Sequence, residues 1–234
     1  MNFSIIINTH NQSKFLDECV NSCINQNYIN YEIIIVDSSK KPFLNKFKSN
    51  KKLRYFHIKE KSKKFPVVNQ MYQIYYGFKK SRGKFICLLD GDDKFSVLKL
   101  KNLSSIFNDT KNELIQDTPT LFLNNKKKRL KEKKYKKNFF YRKFIINWPQ
   151  IFGTSTITCN RKILNSFFKV GKPFEWEFLA IDAKLVLFAQ CKYKIRSLNN
   201  EFTFKRIHQN NLDKTFNHFF SKSFWIRRKM QIDY

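Results

Sequence analysis

The chain has 234 residues, enough for one α/β domain with a full core and short for two independent ones. A 42% hydrophobic content excludes disorder throughout, and five Gly and five Pro exclude collagen-like or linker-like chains. The net charge of +28 points toward polyanions, whether nucleic acid, anionic lipid headgroups or phosphorylated substrates; abundant Lys, Asn, Ile, Phe and Tyr together also match the bias of an AT-rich genome.

In chain order, Phe3 to Ile7 reads as a buried strand. A helix follows, with Leu16, Cys19, Val20, Cys23 and Ile24 on one face and Ser13 as its N-cap. Ile33 to Val36 is a second buried strand ending at Asp37, and Leu53 to Ile58 a third. Val67 to Lys80 carries the helical stripe Val67, Met71, Ile74, Tyr75 and Phe78. Phe85 to Leu89 is a fourth strand ending at Asp90, and Lys94 to Phe107 is helical. Alternating strands and helices, with strands apolar on both faces, predict a mostly parallel sheet covered on both sides. Ligands then belong at the carboxyl ends of the strands, where Asp37 and Asp90 stand.

The second half is less regular. Lys126 to Lys137, with nine basic residues and one acid, reads as an exposed loop. Ile151 to Cys159 reads as a strand, Arg161 to Phe168 as a short helix, and Glu177 to Gln190 as a longer one. Ile195 to Leu198 and Phe202 to Arg206 are short strands, and Thr215 to Met230 an aromatic, basic helix. Its Phe216, Phe219, Phe220, Phe224 and Trp225 read as core packing, while Lys222, Arg227, Arg228 and Lys229 keep a membrane face open. Of the five cysteines, four lie in apolar patterns and none forms a CxxC pair, which suits a reducing cytosol. The N-terminal apolar run is too short for a signal peptide, and no stretch has the length of a membrane span. Any membrane contact is peripheral.

Asp90-Gly91-Asp92-Asp93 is the sharpest chemical signal. Three carboxylates in four positions repel one another unless a cation sits among them, and hard oxygen ligands suit Mg2+ or Mn2+. A plain Asp/Gly turn with Asp93 capping the next helix accounts for the same residues.

Several segments together resemble family 2 glycosyltransferases of the GT-A fold. Ile5-Ile6-Ile7-Asn8-Thr9-His10-Asn11-Gln12 resembles their opening strand and loop, and Ile33-Ile34-Ile35-Val36-Asp37-Ser38-Ser39 their second strand and nucleotide loop. Ser81-Arg82-Gly83-Lys84-Phe85-Ile86 leading into Leu89-Asp90-Gly91-Asp92-Asp93 resembles their strand into the DxD motif. Gly153-Thr154-Ser155-Thr156 with Arg161 resembles their sugar-site segment, and Arg206-Ile207-His208 a late Arg-x-His. The resemblance implies a single domain over 1–234: a nucleotide-sugar half at 1–94, an acceptor half at 95–234, and a helical C-terminal part. It implies that Thr9, Asn11 and Asp37 hold the nucleotide, that Asp90 contacts the ribose or metal side of the donor, and that Arg206 faces the diphosphate. Asp92 would be the main ligand of a divalent metal (Mn2+ or Mg2+), with Asp93 a lesser candidate and His208 an extra ligand. Ser38 stands where many members have a second Asp, and Tyr75-Tyr76-Gly77 where an Asn-x-Gly is usual.

An inverting transfer needs one general base. The family's Glu-Asp pair is matched best by Ile181-Asp182, with Glu175 and Glu177 as competitors; Asp182 sits among apolar neighbours, and pairing with Lys184 or a basic neighbour on the solvent face is its structural explanation. The expected function is transfer of a sugar from a nucleoside-diphosphate sugar to a glycan or lipid-linked acceptor. Its expected setting is cytoplasmic, with peripheral contact at the inner, anionic face of the membrane left open. A basic nucleic-acid-binding protein is the alternative, weakened by the absence of a zinc-finger or RNA-recognition signature; an inactive GT-A fold is the other.

Overall fold

A computed structural model describes residues 2–43, 49–109, 113–123, 126–129, 150–209, 211 and 222–234. The basic run beyond Arg129 and residues 215–221 of the expected C-terminal helix lie outside the described residues.

The first half follows the expected alternation: β1 (Phe3–Thr9), α1 (Ser13–Ile24), β2 (Tyr31–Asp37), β3 (Leu53–His57), α2 (Pro66–Lys80) and β4 (Phe85–Asp90). Gln12, not Ser13, is the residue before the first turn of α1, and it makes no side-chain cap. Two short elements follow, β5 (Lys94–Phe95) and α3 (Lys99–Asp109), where one helix was expected. Then come β6 (Glu113–Asp117), β7 (Thr120–Leu123) and β8 (Lys126–Arg129), so the start of the basic run is a strand and not a loop. A 3-10 turn at Thr154–Thr156 leads into β9 (Ile157–Asn160), dividing the strand expected from Ile151. The chain ends with α4 (Arg161–Val170), α5 (Ile181–Lys192), β10 (Lys194–Leu198), β11 (Thr203–Arg206) and α6 (Lys222–Asp233).

Seven strands form the main sheet in the order β10-β6-β9-β4-β1-β2-β3. β1, β2, β3 and β4 run parallel, and β9 is antiparallel to both β4 and β6. β1 shows why the sheet is covered twice. Its Ile5 and Ile7 join a core with Cys19, Cys23, Leu100 and Leu103 from α1 and α3. Ile6, between them, faces the opposite core with Met71, Ile74, Ile163 and Leu185 from α2, α4 and α5. Side chains alternate across a strand, so an unbroken apolar run serves two layers. Gly77 lets α2 lie close on the sheet: a Cβ there would come within 2.6 Å of Ile6 Cγ2 and 3.3 Å of Val36 Cγ2. Phenylalanines fill the first core, Phe85 and Phe107 stacking with ring centres 4.1 Å apart.

A second sheet of four strands has the order β5-β11-β7-β8. The two residues of β5 pair antiparallel with β11, Phe95 opposite Thr203. That short pairing places the end of β11 beside the carboxylates that follow β4. Four cysteines are buried and free, and Cys191 is exposed. No described helix is long and apolar enough to cross a membrane.

Candidate active site

The parallel strands β1 and β4 end side by side, and Asn8 and Asp90 are register partners. Asn8 Nδ2 donates to Asp90 Oδ1 at 2.9 Å, and Gln70 Nε2, reaching from α2, donates to the same oxygen at 2.8 Å. The backbone then turns through Gly91. Asp92 Oδ2 lies 2.7 Å from His208 Nε2. Asp93 turns inward: its Oδ2 accepts from Ser155 Oγ at 2.6 Å and its Oδ1 from the Arg206 backbone N–H at 2.8 Å. Ser155 Oγ in turn accepts from the Asp90 N–H at 3.0 Å. One serine hydroxyl therefore ties the first and last aspartates of the turn together.

Burial, and after it the charge of Asp92, push the Asp90 carboxyl up to about 6, although Asn8, Gln70 and Lys205 oppose the shift. Burial with Asp92 and Asp90 likewise holds Asp93 well above the usual carboxylate range. The three carboxylates thus form one crowded anionic group.

Arg206 is the opposing cation. Its guanidinium lies between the rings of Phe15 and Phe122, 4.7 and 4.4 Å from their centres. Its Nε donates to the Asp92 carbonyl at 3.0 Å, and its terminal nitrogen pairs with Glu18 of α1. Burial would raise the Glu18 pKa, but bonds from Lys94 and Arg206 outweigh it and hold it below its ordinary value.

These groups face a cavity of about 1090 Å³, just above the range usual for ligand pockets. Asn11, Asp90, Asp92, Asp182, Arg206 and His208, all singled out from the sequence, line it. Thr9 and Asp37 are not in its lining. Asp37 is fully buried, and its carboxylate accepts from Ser39 N–H at 2.7 Å, Tyr55 Oη at 2.7 Å and Phe43 N–H at 3.1 Å. Thr9 is buried too, and its carbonyl accepts from Ser38 N–H and from the Gln73 side chain. Both support the floor of the loop rather than its face. His10 lines the cavity with Nδ1 2.9 Å from the Ser38 carbonyl, whereas His57 Nε2 lies 2.8 Å from the Ser39 carbonyl at the end of β3.

Of the three carboxylates considered as a base, Asp182 lines the cavity, while Glu175 and Glu177 are exposed outside it. Asp182 stands in the first turn of α5, its Oδ1 accepting from Ala183 N–H at 2.8 Å. Lys184 is directed elsewhere: it is 3% exposed, and its Nζ donates to the Pro173 carbonyl at 2.8 Å and to the Glu175 carbonyl. The lysine holds the loop ahead of α5.

Gln70, Ser155, Lys14, Lys205 and Arg227 also belong to this region. Lys205 sits against Gly153, whose φ of 109° favours glycine and leaves its Nζ 3.1 Å from where a Cβ would be. Gln70, three residues after Val67 and four before Ile74, borders the apolar stripe of α2 and was readable; Asn69 and Gln73 lie off that stripe, and their burial, which requires polar partners, has no local signal.

Residues 4–168 match the family model described as Glycosyl transferase family 2. The chain belongs to this family. An uncharacterized glycosyltransferase of Rickettsia bellii is 30% identical over 102 residues, covering 42% of this chain and 14% of the relative. One of Rickettsia felis is 30% identical over 102 residues and covered to 16%. The chain therefore matches a small part of those longer proteins. Solved structures share the GT-A fold. Staphylococcus aureus TarS 1–349 in complex with UDP-GlcNAc aligns with all of this chain and 66% of its own, at TM-score 0.67 and 14% identity. The mannosyltransferase PcManGT of Pyrobaculum calidifontis, in complex with GDP-Man and Mn2+, aligns with 92% of this chain and 59% of its own, at TM-score 0.65 and 13% identity. The family match ends at residue 168, so Asp182, Arg206 and His208 of the family 2 cavity lie beyond it.

Proposed function

We propose that this chain transfers a glycosyl group from a nucleoside-diphosphate sugar to an acceptor hydroxyl, with inversion and with a divalent metal. The supporting observation is that one cavity is lined by an Asp-His pair, by basic side chains and by a separate carboxylate, Asp182. Residues 1–94 would serve chiefly the nucleotide-sugar and 95–234 the acceptor.

Among the described residues no three metal-ligating side chains gather round one point. The chemistry of the donor set still fits a divalent ion. Asp92 and His208 supply an oxygen and a nitrogen in contact, and crowded neighbouring carboxylates raise the local negative charge. That set suits Mn2+ over Mg2+ and leaves most positions for phosphate and water. Asp92 and His208 would hold the ion, which when bound neutralises charge on a departing diphosphate.

The chain's own residues do the rest. Lys14, Lys205, Arg206 and Arg227 line the wall and would hold the diphosphate by charge-assisted hydrogen bonds. Asn11 at the rim, and Thr9 and Asp37 beneath it, would set the nucleotide loop. Asp90, held by Asn8 and Gln70, would face the donor's ribose. Asp182 would take the acceptor's hydroxyl proton as that oxygen bonds to the anomeric carbon and the bond to the diphosphate breaks. The acceptor would be a surface glycan or a lipid-linked sugar, reached from the cytoplasm at an anionic membrane surface. The test is transfer from UDP-, GDP-, CMP- and dTDP-sugars with Mn2+ or Mg2+, with and without EDTA. Activity lost in EDTA and in Asp92→Asn, with the fold intact, is expected; full activity in either removes the metal from the reading.

A further inference from the structure

Lys99, the first residue of α3, has no exposed surface. Its ammonium has three hydrogens and meets three acceptors: Asp117 Oδ1 at 2.8 Å, Thr203 Oγ1 at 2.8 Å and the Ser155 carbonyl at 3.1 Å. The ring of Phe95 lies 4.0 Å from Nζ to its centre. The three acceptors come from three separate pieces of the fold: the end of β6, the start of β11 and the 3-10 turn between them in sequence. Thr203 Oγ1 also bonds the Ser155 carbonyl, at 3.2 Å.

What hangs from this lysine is the carboxylate turn. Ser155, fixed through its carbonyl by Lys99, uses its hydroxyl to hold both the Asp90 N–H and the Asp93 carboxylate. Thr203 begins the strand that ends at Arg206, whose N–H closes on Asp93. One buried charge thus sets the two segments between which the aspartates are held. Holding the fold alone gives little reason for it, since taking a charged pair out of water is costly and apolar pairs of like volume are often as stable.

We propose that Lys99 is a positioning residue for the donor site, acting through the Ser155 carbonyl and the Thr203 hydroxyl to fix the turn that carries Asp90, Asp92 and Asp93. The activity readout rests on the glycosyl-transfer reading above. Losing Lys99 alone would strand the buried Asp117 charge, so the informative variant replaces both partners: Lys99→Met with Asp117→Leu.

The double variant is expected to fold, to bind nucleoside diphosphate with Mn2+ at least tenfold more weakly by calorimetry, and to keep the acceptor KM within twofold. Because one of the two routes runs through Ser155, the double replacement made in a Ser155→Ala background should cost less than it does in the wild-type background. Wild-type donor affinity in the double variant, a parallel rise in donor and acceptor KM, or losses that multiply with Ser155→Ala overturn the proposal. Amide hydrogen exchange judges it independently of any sugar. Exchange across residues 153–157 should rise at least tenfold while β1 and β2 stay protected, and unchanged exchange there overturns it. A wild type that neither binds nor transfers sinks the transfer reading, and exchange then decides the lysine's role. Thr203→Val, which keeps the charged pair and the shape, carries the same exchange test if the double variant does not fold.

Discussion

Replacing Lys184 by Met removes a buried ammonium whose Nζ donates to the carbonyls of Pro173 and Glu175, on the loop just ahead of Asp182. Burial pulls the Lys184 pKa down from 10.5 to about 8, with the Glu175 carboxylate opposing the shift. The folded chain sheds this proton near pH 8 and the unfolded chain near 10.5. Between those values the unfolded state binds more protons, so the stability contributed by Lys184 rises with pH. Integrated from pH 7 to pH 9, the gain is about 1.4 kcal/mol. The Met variant lacks this term and leaves two carbonyls without their donor. The difference in unfolding free energy, wild type minus Lys184→Met, should therefore move in favour of the wild type by about 1.4 kcal/mol over that interval. Urea unfolding at pH 7, 8 and 9 measures it; a sequence pI near 10.0 makes higher pH prone to precipitation. A difference that is flat with pH, or that falls, would refute the reasoning, because it would mean the lysine is not desolvated.

Asp182→Asn should lower turnover roughly a hundredfold or more while donor affinity stays, as for loss of a general base; Glu175→Gln and Glu177→Gln, outside the cavity, should stay active, and the reverse pattern moves the base to a Glu. Asp37→Ala should weaken donor binding and also loosen residues 38–43, because three hydrogen bonds end on its carboxylate. Tyr55→Phe, which removes one of them, should give a smaller loss in the same calorimetry, and equal affinity in both variants and wild type would detach this brace from the site. Anionic vesicles should sediment the protein and release it as salt rises, each basic residue near the surface adding on the order of 1 kcal/mol. Equal binding to neutral and anionic vesicles would count against a functional charge.

The first half of the chain was legible because β1, β2 and β4 are apolar on both faces, and β2 and β4 end in aspartates. Ile5, Ile6 and Ile7 can belong only to a strand buried on two sides. Of the second sheet only β11 was expected; β5, β7 and β8 were not legible, nor was β6 of the main sheet. β5 has two residues and no period, and β6 reads Glu-Leu-Ile-Gln-Asp, with three buried polar positions among five. Those polar residues are tolerable only through long-range partners, such as Lys194 on Glu113 and Lys99 on Asp117. No local pattern announces such partners. The Asp182–Lys184 pairing failed for a related reason: residues two apart on a helix do not face each other, and the carbonyls of the preceding loop took the lysine.

Arg206 and His208, which meet the carboxylate turn, come late in the chain. Asp93 meets Arg206 across 113 positions, and Glu18 meets it across 188. At typical rates of synthesis, about 5–20 residues per second, on the order of ten seconds separate the emergence of Asp93 from that of Arg206. Throughout that interval β1, β2 and β4 are free to pair, since all lie upstream, while the aspartates have neither their arginine nor their histidine. A ligand that needs the arginine and the histidine therefore has little to grip on the growing chain and cannot template the early sheet.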